Sequence, residues 1–300
     1  MTERAGENDG DGECVRPGSL TMSATAVAAG AYLHHLELNS TDPTRLAGFY
    51  ARALQMQTNC IDSGHWICSG PDRSLLISLG SDNHLGYAAF ACRDADALAG
   101  LRRHVEAMRA PLLPSRSALF GARAFSVCDP EGNYLVFGLA KEPAGRPAPP
   151  LRGPLQHVTV NSTDMAAMED FYVRLGFSLT DRVRDESGRV TAFFVRSTHE
   201  HHSVGVFLKA TAGLDHHSYE AGEWDTIRDW ADYLATLNIP IVWGPGRHGP
   251  GNNLFVFIRD PDGNMIEISA EIEYVRDRPV KEWKHEPATL NLWGPAMMRV

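Results

Sequence analysis

The chain has 300 residues, of which 43% are hydrophobic and 22% charged, enough for two ordinary domains with sizeable cores and unlike a disordered or fibrous composition. Lys and Arg number 28 against 37 Asp and Glu, a net charge of −9, which argues against nucleic acid or an anionic membrane as the main partner because both reward a basic face. The five cysteines (Cys14, Cys60, Cys68, Cys92, Cys128) contain no C-x-x-C and lie in the first half, so they frame neither a disulfide scaffold nor a zinc ribbon, and a reducing cytoplasm is expected.

Residues 1–30 are rich in Gly, Asp, Glu, Ser and Ala without an apolar period, which predicts a disordered tail, with Met22 an alternative start. Glu3, Glu7, Asp9, Asp11 and Glu13 stand where a targeting peptide would be basic, and no stretch reaches the roughly 18 apolar residues of a membrane span, so neither secretion nor membrane insertion is expected. From Leu33 to Asp42 the chain reads as a strand. Asp42-Pro43 then caps a helix with the stripe Leu46, Phe49, Tyr50, Ala53.

The same text returns 122 residues later, LHHLELNSTD at Leu33 to Asp42 aligning without a gap on LQHVTVNSTD at Leu155 to Asp164. Phe49-Tyr50 and Phe171-Tyr172 keep that offset, and each half ends in an Asp-Pro-acid-Gly-Asn turn, DPEGN at Asp129 to Asn133 and DPDGN at Asp260 to Asn264. The chain is a duplicated domain. Its copies are residues 31–141 and 155–275, the Pro-rich segment 142–154 is the linker, and residues 276–300 form a C-terminal lid or tail.

In the second copy His157, Thr159 and Asn161 alternate with Val158 and Val160, as on a strand, and Met165, Met168, Phe171, Tyr172 and Leu175 give the helix that follows. The runs VTAFFV, SVGVFL and LFVFI are strands, interrupted by a second helix over residues 224–237 with Ile227, Ala231 and Leu234 on one side. The fold class is therefore α+β, two tandem domains each made of paired βαβββ modules.

Eight of the 13 histidines follow residue 150, and several fall on predicted strands. Strands hold ligands in fixed geometry, and two imidazoles plus one carboxylate on one face of a divalent metal leave positions open for a substrate and O2. His157, His216 and Glu267 are the candidates. Aligning the copies puts Val136 opposite Glu267 and Tyr87 opposite His216, leaving His35 as the counterpart of His157, so one copy can bind a metal and the other cannot. Glu267 in an otherwise apolar strand end would be a buried charge without a partner unless it had such a role. His217 alternates away from His216 on the same strand, and His34, His35, His65, His84 and His104 read as structural or solvated.

The segment GPGRHGPGNNLFVFIRDPDGNMIEI, Gly244 to Ile268, resembles the signature of the type I extradiol catechol dioxygenases of the vicinal-oxygen-chelate superfamily, the group of the homoprotocatechuate and dihydroxybiphenyl ring-cleaving enzymes. The resemblance extends from about Leu33 to Pro295. It implies His157, His216 and Glu267 as metal ligands, His248 as a histidine near the substrate, and His202, fourteen residues before His216, as the acid–base histidine, with His201 and His199 as rivals for that role. Where the family has a tyrosine that hydrogen-bonds the substrate oxygen, this chain has Phe257. The substrate pocket is expected around Phe257, Trp243 and Arg247, with Arg247 assigned to holding the His248 loop.

The resemblance implies Fe(II), or Mn(II), which the same ligands suit, and extradiol cleavage by O2 of a catechol-type ring, neutral and substituted because the segments expected near its distal end offer little charge. His202 would take a substrate proton and return it. Two other classes compete: a glyoxalase-like or epoxide-opening relative using the metal only as a Lewis acid, and a non-catalytic aromatic-binding protein. A homo-oligomer is expected, with a catechol-type small molecule and O2 as partners and neither nucleic acid nor membrane.

Overall fold

The computed structural model describes residues 25–141 and 151–298. The first half comprises β1 (Tyr32–Ser40), α1 (Pro43–Ala53), β2 (Gln57–Asp62), β3 (His65–Gly70), β4 (Arg73–Leu79), β5 (His84–Ala91), α2 (Ala95–Ala107), β6 (Leu113–Pro114), β7 (Phe125–Cys128) and β8 (Tyr134–Gly138). The second comprises β9 (Leu155–Ser162), α3 (Met165–Leu175), β10 (Ser178–Arg184), β11 (Val190–Arg196), β12 (Val204–Leu208), β13 (Gly213–Gly222), α4 (Trp224–Thr236), β14 (Trp243–Arg247), β15 (Leu254–Arg259) and β16 (Met265–Ala270), followed by β17 (Lys281–Lys284) and α5 (Pro287–Leu290). Each half is two βαβββ modules in succession, the α+β architecture expected. The sheet orders are β2-β3-β4-β1-β5-β8-β7-β6 and β14-β15-β16-β13-β9-β12-β11-β10-β17. No described helix is long and apolar enough to cross a membrane.

Matching local chemistry builds matching elements in the two halves. Asp42 accepts from the Arg45 amide at 3.0 Å and Asp164 from the Ala167 amide at 3.0 Å, satisfying donors that the first turns of α1 and α3 would leave orphaned. Leu46, Phe49, Tyr50 and Ala53 are all buried on α1, and burying each of the larger side chains contributes roughly 1.5–3 kcal/mol. On α4 the buried positions are Ile227, Trp230 and Leu234, not the expected Ala231. Trp230 wins that place because its ring fills the core while its Nε1 donates to the Arg152 carbonyl at 2.7 Å.

The two DPxGN turns fold alike. Asp129 Oδ1 accepts from the amides of Glu131 (3.0 Å) and Asn133 (2.9 Å), and Asp260 Oδ1 from those of Asp262 (3.0 Å) and Asn264 (2.9 Å). Gly132 and Gly263 supply the left-handed backbone, φ +87° and +90°, that side-chain-bearing residues rarely adopt. Each turn also receives a tyrosine from the other half: Tyr172 Oη donates to Asp129 Oδ2 at 3.4 Å and Tyr50 Oη to Asp260 Oδ2 at 3.0 Å. The sheets meet where β1 contacts β9 and β5 contacts β13, and one apolar core runs through both halves.

One expectation needs correction. Residues 1–24 lie outside the described residues, but residues 25–30, expected to belong to a disordered tail, form a turn with Ala26 and Ala29 buried. The Ala26 amide donates to the Leu175 carbonyl at 3.3 Å and the Val27 amide to that of Gly176 at 3.1 Å, so this segment satisfies the carbonyls at the end of α3. The C-terminal segment, expected as a lid or tail, packs on the second half: β17 pairs in parallel with β10 and extends the second sheet, and α5 then returns over the β14 end.

Candidate metal centre and cavity

β16, β13 and β9 are consecutive neighbours in the second sheet, and their register places His157, Ser218 and Glu267 side by side. Residues paired across strands point to the same face, and His216 joins them two positions along β13. Three side chains from three strands therefore converge. His157 Nε2 lies 3.1 Å from Glu267 Oε2 and 3.3 Å from His216 Nε2, and His216 Nε2 lies 3.3 Å from Glu267 Oε2. All three residues are buried.

The remaining ring nitrogens are tied down. His157 Nδ1–H donates to Gln156 Oε1 at 3.2 Å, and Gln156 Nε2 donates in turn to Glu220 Oε2 at 2.7 Å. His216 Nδ1–H donates to Asp215 Oδ1 at 2.6 Å. Each bond fixes the ring and leaves Nε2 turned to the common centre, the arrangement metal-ligating histidines adopt. Asn253 Nδ2 donates to Glu267 Oε1 at 3.0 Å. Burial would raise the Glu267 carboxyl, but the imidazoles of His157, His216 and His248 outweigh it and hold it well below the usual carboxylate range. Burial lowers His157, against the opposing pull of Glu267. A buried carboxylate facing two neutral imidazole nitrogens is a donor set that fits a divalent first-row metal, with one face left open.

That face opens on a small cavity of about 30 Å³ walled by Phe194, Phe207, Trp243, Phe257 and Leu290. Phe257 sits opposite Glu267 across β15 and β16 with its ring edge-on to His216 (centroids 5.3 Å), and Trp243 stacks on it at 5.1 Å. Trp243 Nε1 donates to the Pro295 carbonyl at 2.9 Å. His202 lines the cavity with its ring 4.2 Å from that of His157, and burial, followed by the His157 ring, pushes its pKa well below the usual histidine range. His248 also lines it; Nδ1–H donates to the Leu290 carbonyl at 2.6 Å and Nε2 stands 3.4 Å from Glu267 Oε1. His217 faces the opposite side of the sheet, its Nε2 3.1 Å from Tyr50 Oη.

Arg247, expected at the pocket, is not among its walls. Its Nη1 donates to the Asn252 carbonyl and its Nη2 to Glu271 Oε2, both at 2.7 Å, so the guanidinium braces the loop that carries His248. From the C-terminal segment Thr289 and Leu290 line the cavity, while Trp293 is 54% exposed. Gly249 makes the close approach of α5 workable, because a Cβ there would stand 2.8 Å from the Thr289 carbonyl oxygen.

In the first half the corresponding place is filled. His35 packs edge-on against Tyr87 (5.6 Å) and Phe120 (4.8 Å), its Nε2 is 2.8 Å from Ser117 Oγ, and Val136 lies in the same apolar cluster. Burial lowers the His35 pKa well below the usual histidine range. Among the described residues, His157, His216 and Glu267 are the one group arranged to hold a metal.

Sequence reading missed Gln156, Asp215, Asn253 and the aromatic walls Phe194 and Phe207. Gln156 and Asp215 each immediately precede a ligand histidine, which is the signal that could have found them.

The chain is similar to several known proteins. The Glyoxalase/Bleomycin resistance protein/Dioxygenase superfamily matches over residues 155–268. Metapyrocatechase 2 of Cupriavidus necator is 27% identical over 249 residues, 72% of this chain and 74% of that protein. The glyoxalase domain-containing protein RDO1 of Mycosarcoma maydis is 30% identical over 121 residues, 39% of this chain and 67% of that protein. Homoprotocatechuate 2,3-dioxygenase of Arthrobacter globiformis has the same fold, with a TM-score of 0.77 at 20% identity over 89% of this chain and 88% of that one.

Proposed function

Because the chain belongs to the glyoxalase/bleomycin resistance/dioxygenase superfamily, and within it to the extradiol dioxygenase-like family, we propose that it opens the ring of a neutral, substituted catechol-type aromatic beside its two hydroxyls, adding both atoms of O2. His157, His216 and Glu267 would hold Fe(II), or Mn(II), which the same donors suit. Such an ion supplies Lewis acidity and open positions for two vicinal oxygens and for O2.

The protein's own contribution begins with the cavity. Phe194, Phe207, Trp243 and Phe257 offer faces and edges to a flat apolar ring and exclude water from it. His202, neutral at rest because it is buried, takes the proton of a substrate hydroxyl and returns it to the opened product, a semialdehyde or keto acid. His248, fixed by the Leu290 carbonyl, stands beside Glu267 at the wall of the same cavity and turns Nε2 toward the place of a bound substrate.

The observation that carries this reading is the meeting of three tied-down ligands with an aromatic cavity that also holds a buried histidine. Anaerobic loading with Fe(II), followed by O2 uptake and the appearance of a yellow ring-fission product across a panel of catechols, tests it. Turnover without O2 consumption would point to Lewis-acid chemistry of the glyoxalase kind, and binding without turnover to a carrier of aromatics.

A further inference from the structure

Behind His202, away from the cavity, lies a second buried chain of polar groups. His202 Nδ1 stands 2.9 Å from His201 Nδ1, and His201 Nε2 stands 3.1 Å from Asp181 Oδ2. His201 and Asp181 are fully buried. Asp181 is held by two residues of the C-terminal segment: Arg278 Nη1 lies 2.9 Å from its Oδ1, and Trp283 Nε1 donates to its Oδ2 at 2.7 Å. Gly251, with φ +77°, brings the loop after β14 against the His201 ring, where a Cβ would stand 3.2 Å from Nδ1.

We propose that Asp181 and His201 are positioning residues that hold His202 in one tautomer, with Nδ1–H donated to His201 and the lone pair on Nε2 left for the cavity. The inference rests on the reading of His202 as the proton acceptor. A carboxylate can only accept, so the Asp181 contact favours a proton on His201 Nε2. A neutral His201 then carries its lone pair on Nδ1. Two Nδ1 atoms at 2.9 Å need one donor and one acceptor, so His202 must donate, and its other nitrogen, Nε2, is the basic one.

Charge counting supports the neutral form of His201. Asp181 is paired with Arg278, and Arg278 also binds Glu273 through Nε and Nη2, both at 2.7 Å, with Lys281 3.4 Å from Glu273. Two carboxylates already face two cations. A protonated His201 would add a surplus buried charge, which is costly.

The chain also gives the C-terminal segment a role beyond covering the cavity. Arg278 and Trp283 hold Asp181 from one side, and Leu290 holds His248 from the other. The segment that closes the site thus also sets the hydrogen-bonding state of two histidines in it.

Imidazole ¹⁵N NMR of the full chain, metal-free and loaded with Zn(II) as a diamagnetic stand-in, reads the tautomer directly, with His202→Phe and His201→Phe used for assignment. The expected result is His202 protonated at Nδ1 in both samples. In His201→Phe the acceptor is gone and the proton should redistribute toward Nε2, with kcat falling roughly tenfold to a hundredfold and KM little changed. His201→Gln, whose amide oxygen can accept from His202, should restore most of the loss, and Asp181→Asn should repeat the tautomer change with His201 in place. His202 protonated at Nε2 in the wild-type chain would overturn the proposal, as would an unchanged tautomer in both His201→Phe and Asp181→Asn. Because the spectra do not depend on turnover, a failure of the ring-cleavage reading leaves the tautomer result standing, and the two failures are distinguishable.

Discussion

Tyr50 Oη donates to Asp260 Oδ2 at 3.0 Å across the junction of the two halves, from the first helix of one to the last turn of the other. Burial pushes the Asp260 pKa up to about 6, against the opposing donors Asn264 and Tyr50. In the folded state Asp260 therefore binds its proton more tightly than in the unfolded state. Stability from this group is greatest below the ordinary carboxylate range and is lost as pH rises from about 4 to about 6, a change on the order of 3 kcal/mol. Above that range the ionised carboxylate needs every donor it has. Tyr50→Phe should therefore cost about 1–3 kcal/mol at pH 7.5 and less at pH 4.5, measured by urea unfolding. An equal loss at both pH values would mean that the hydroxyl serves His217 rather than Asp260.

One metal per chain is the next expectation. Glu267→Gln and His216→Ala should each lose tightly bound iron, whereas His35→Ala should keep it, because Tyr87, Phe120 and Val136 occupy the corresponding place in the first half. Metal analysis of purified protein after dialysis decides the point, and two metals per chain would contradict it.

His202→Phe should retain metal and substrate binding yet lose turnover by roughly a hundredfold to ten-thousandfold, the usual worth of a positioned proton acceptor. His199→Phe is the appropriate control, since His199 is exposed. A damaging His199 change together with a harmless His202 change would move the role to the other side of the β11–β12 connection.

Phe257 is fully buried between His216 and Trp243, so a hydroxyl added by Phe257→Tyr would enter the cavity beside the metal ligands. We expect iron binding to be intact and the oxygen reactivity or product partition to change. If stopped-flow traces and products are both unaltered, the position serves packing alone.

What could be read from the sequence depended on whether a residue's role is encoded locally or by comparison of the copies. His157, His216 and Glu267 stood out because Val136 and Tyr87 mark where the first copy departs from the second, and the N-caps Asp42 and Asp164 act within three residues. Asp181 was silent, and His201 was legible only as a rival to His202: the two are twenty residues apart and meet only through the register of β10 against β11 and the return of the C-terminal segment. The turn at residues 25–30 was misread for the same kind of reason. Ala26 and Ala29 show no amphipathic period, and they are ordered by the end of α3 in the other half. Arg247 could be placed near the His248 loop from the sequence, but its partner Glu271 lies beyond the DPDGN turn and no spacing rule connects them.

The substrate is expected to be neutral and larger than catechol itself. The apolar walls of the cavity are Phe194, Phe207, Trp243, Phe257 and Leu290, and no Lys or Arg is among the described residues that line it. A ring bearing a carboxylate would have to leave water without a cationic partner, at a cost of several kcal/mol. Arg247, the nearby candidate for such a partner, already donates to the Asn252 carbonyl and to Glu271 and lies against the Trp293 ring at 5.4 Å. Redirecting it would break that set of contacts and loosen the loop carrying His248. Alkyl- or aryl-substituted catechols should therefore exceed carboxylated ones in kcat/KM by roughly a hundredfold or more, since about 2.7 kcal/mol of discrimination suffices for that ratio. Arg247→Ala should lower kcat/KM for all of them alike, through the His248 loop. A preference for the carboxylated set, abolished by Arg247→Ala, would instead make this arginine the substrate anchor.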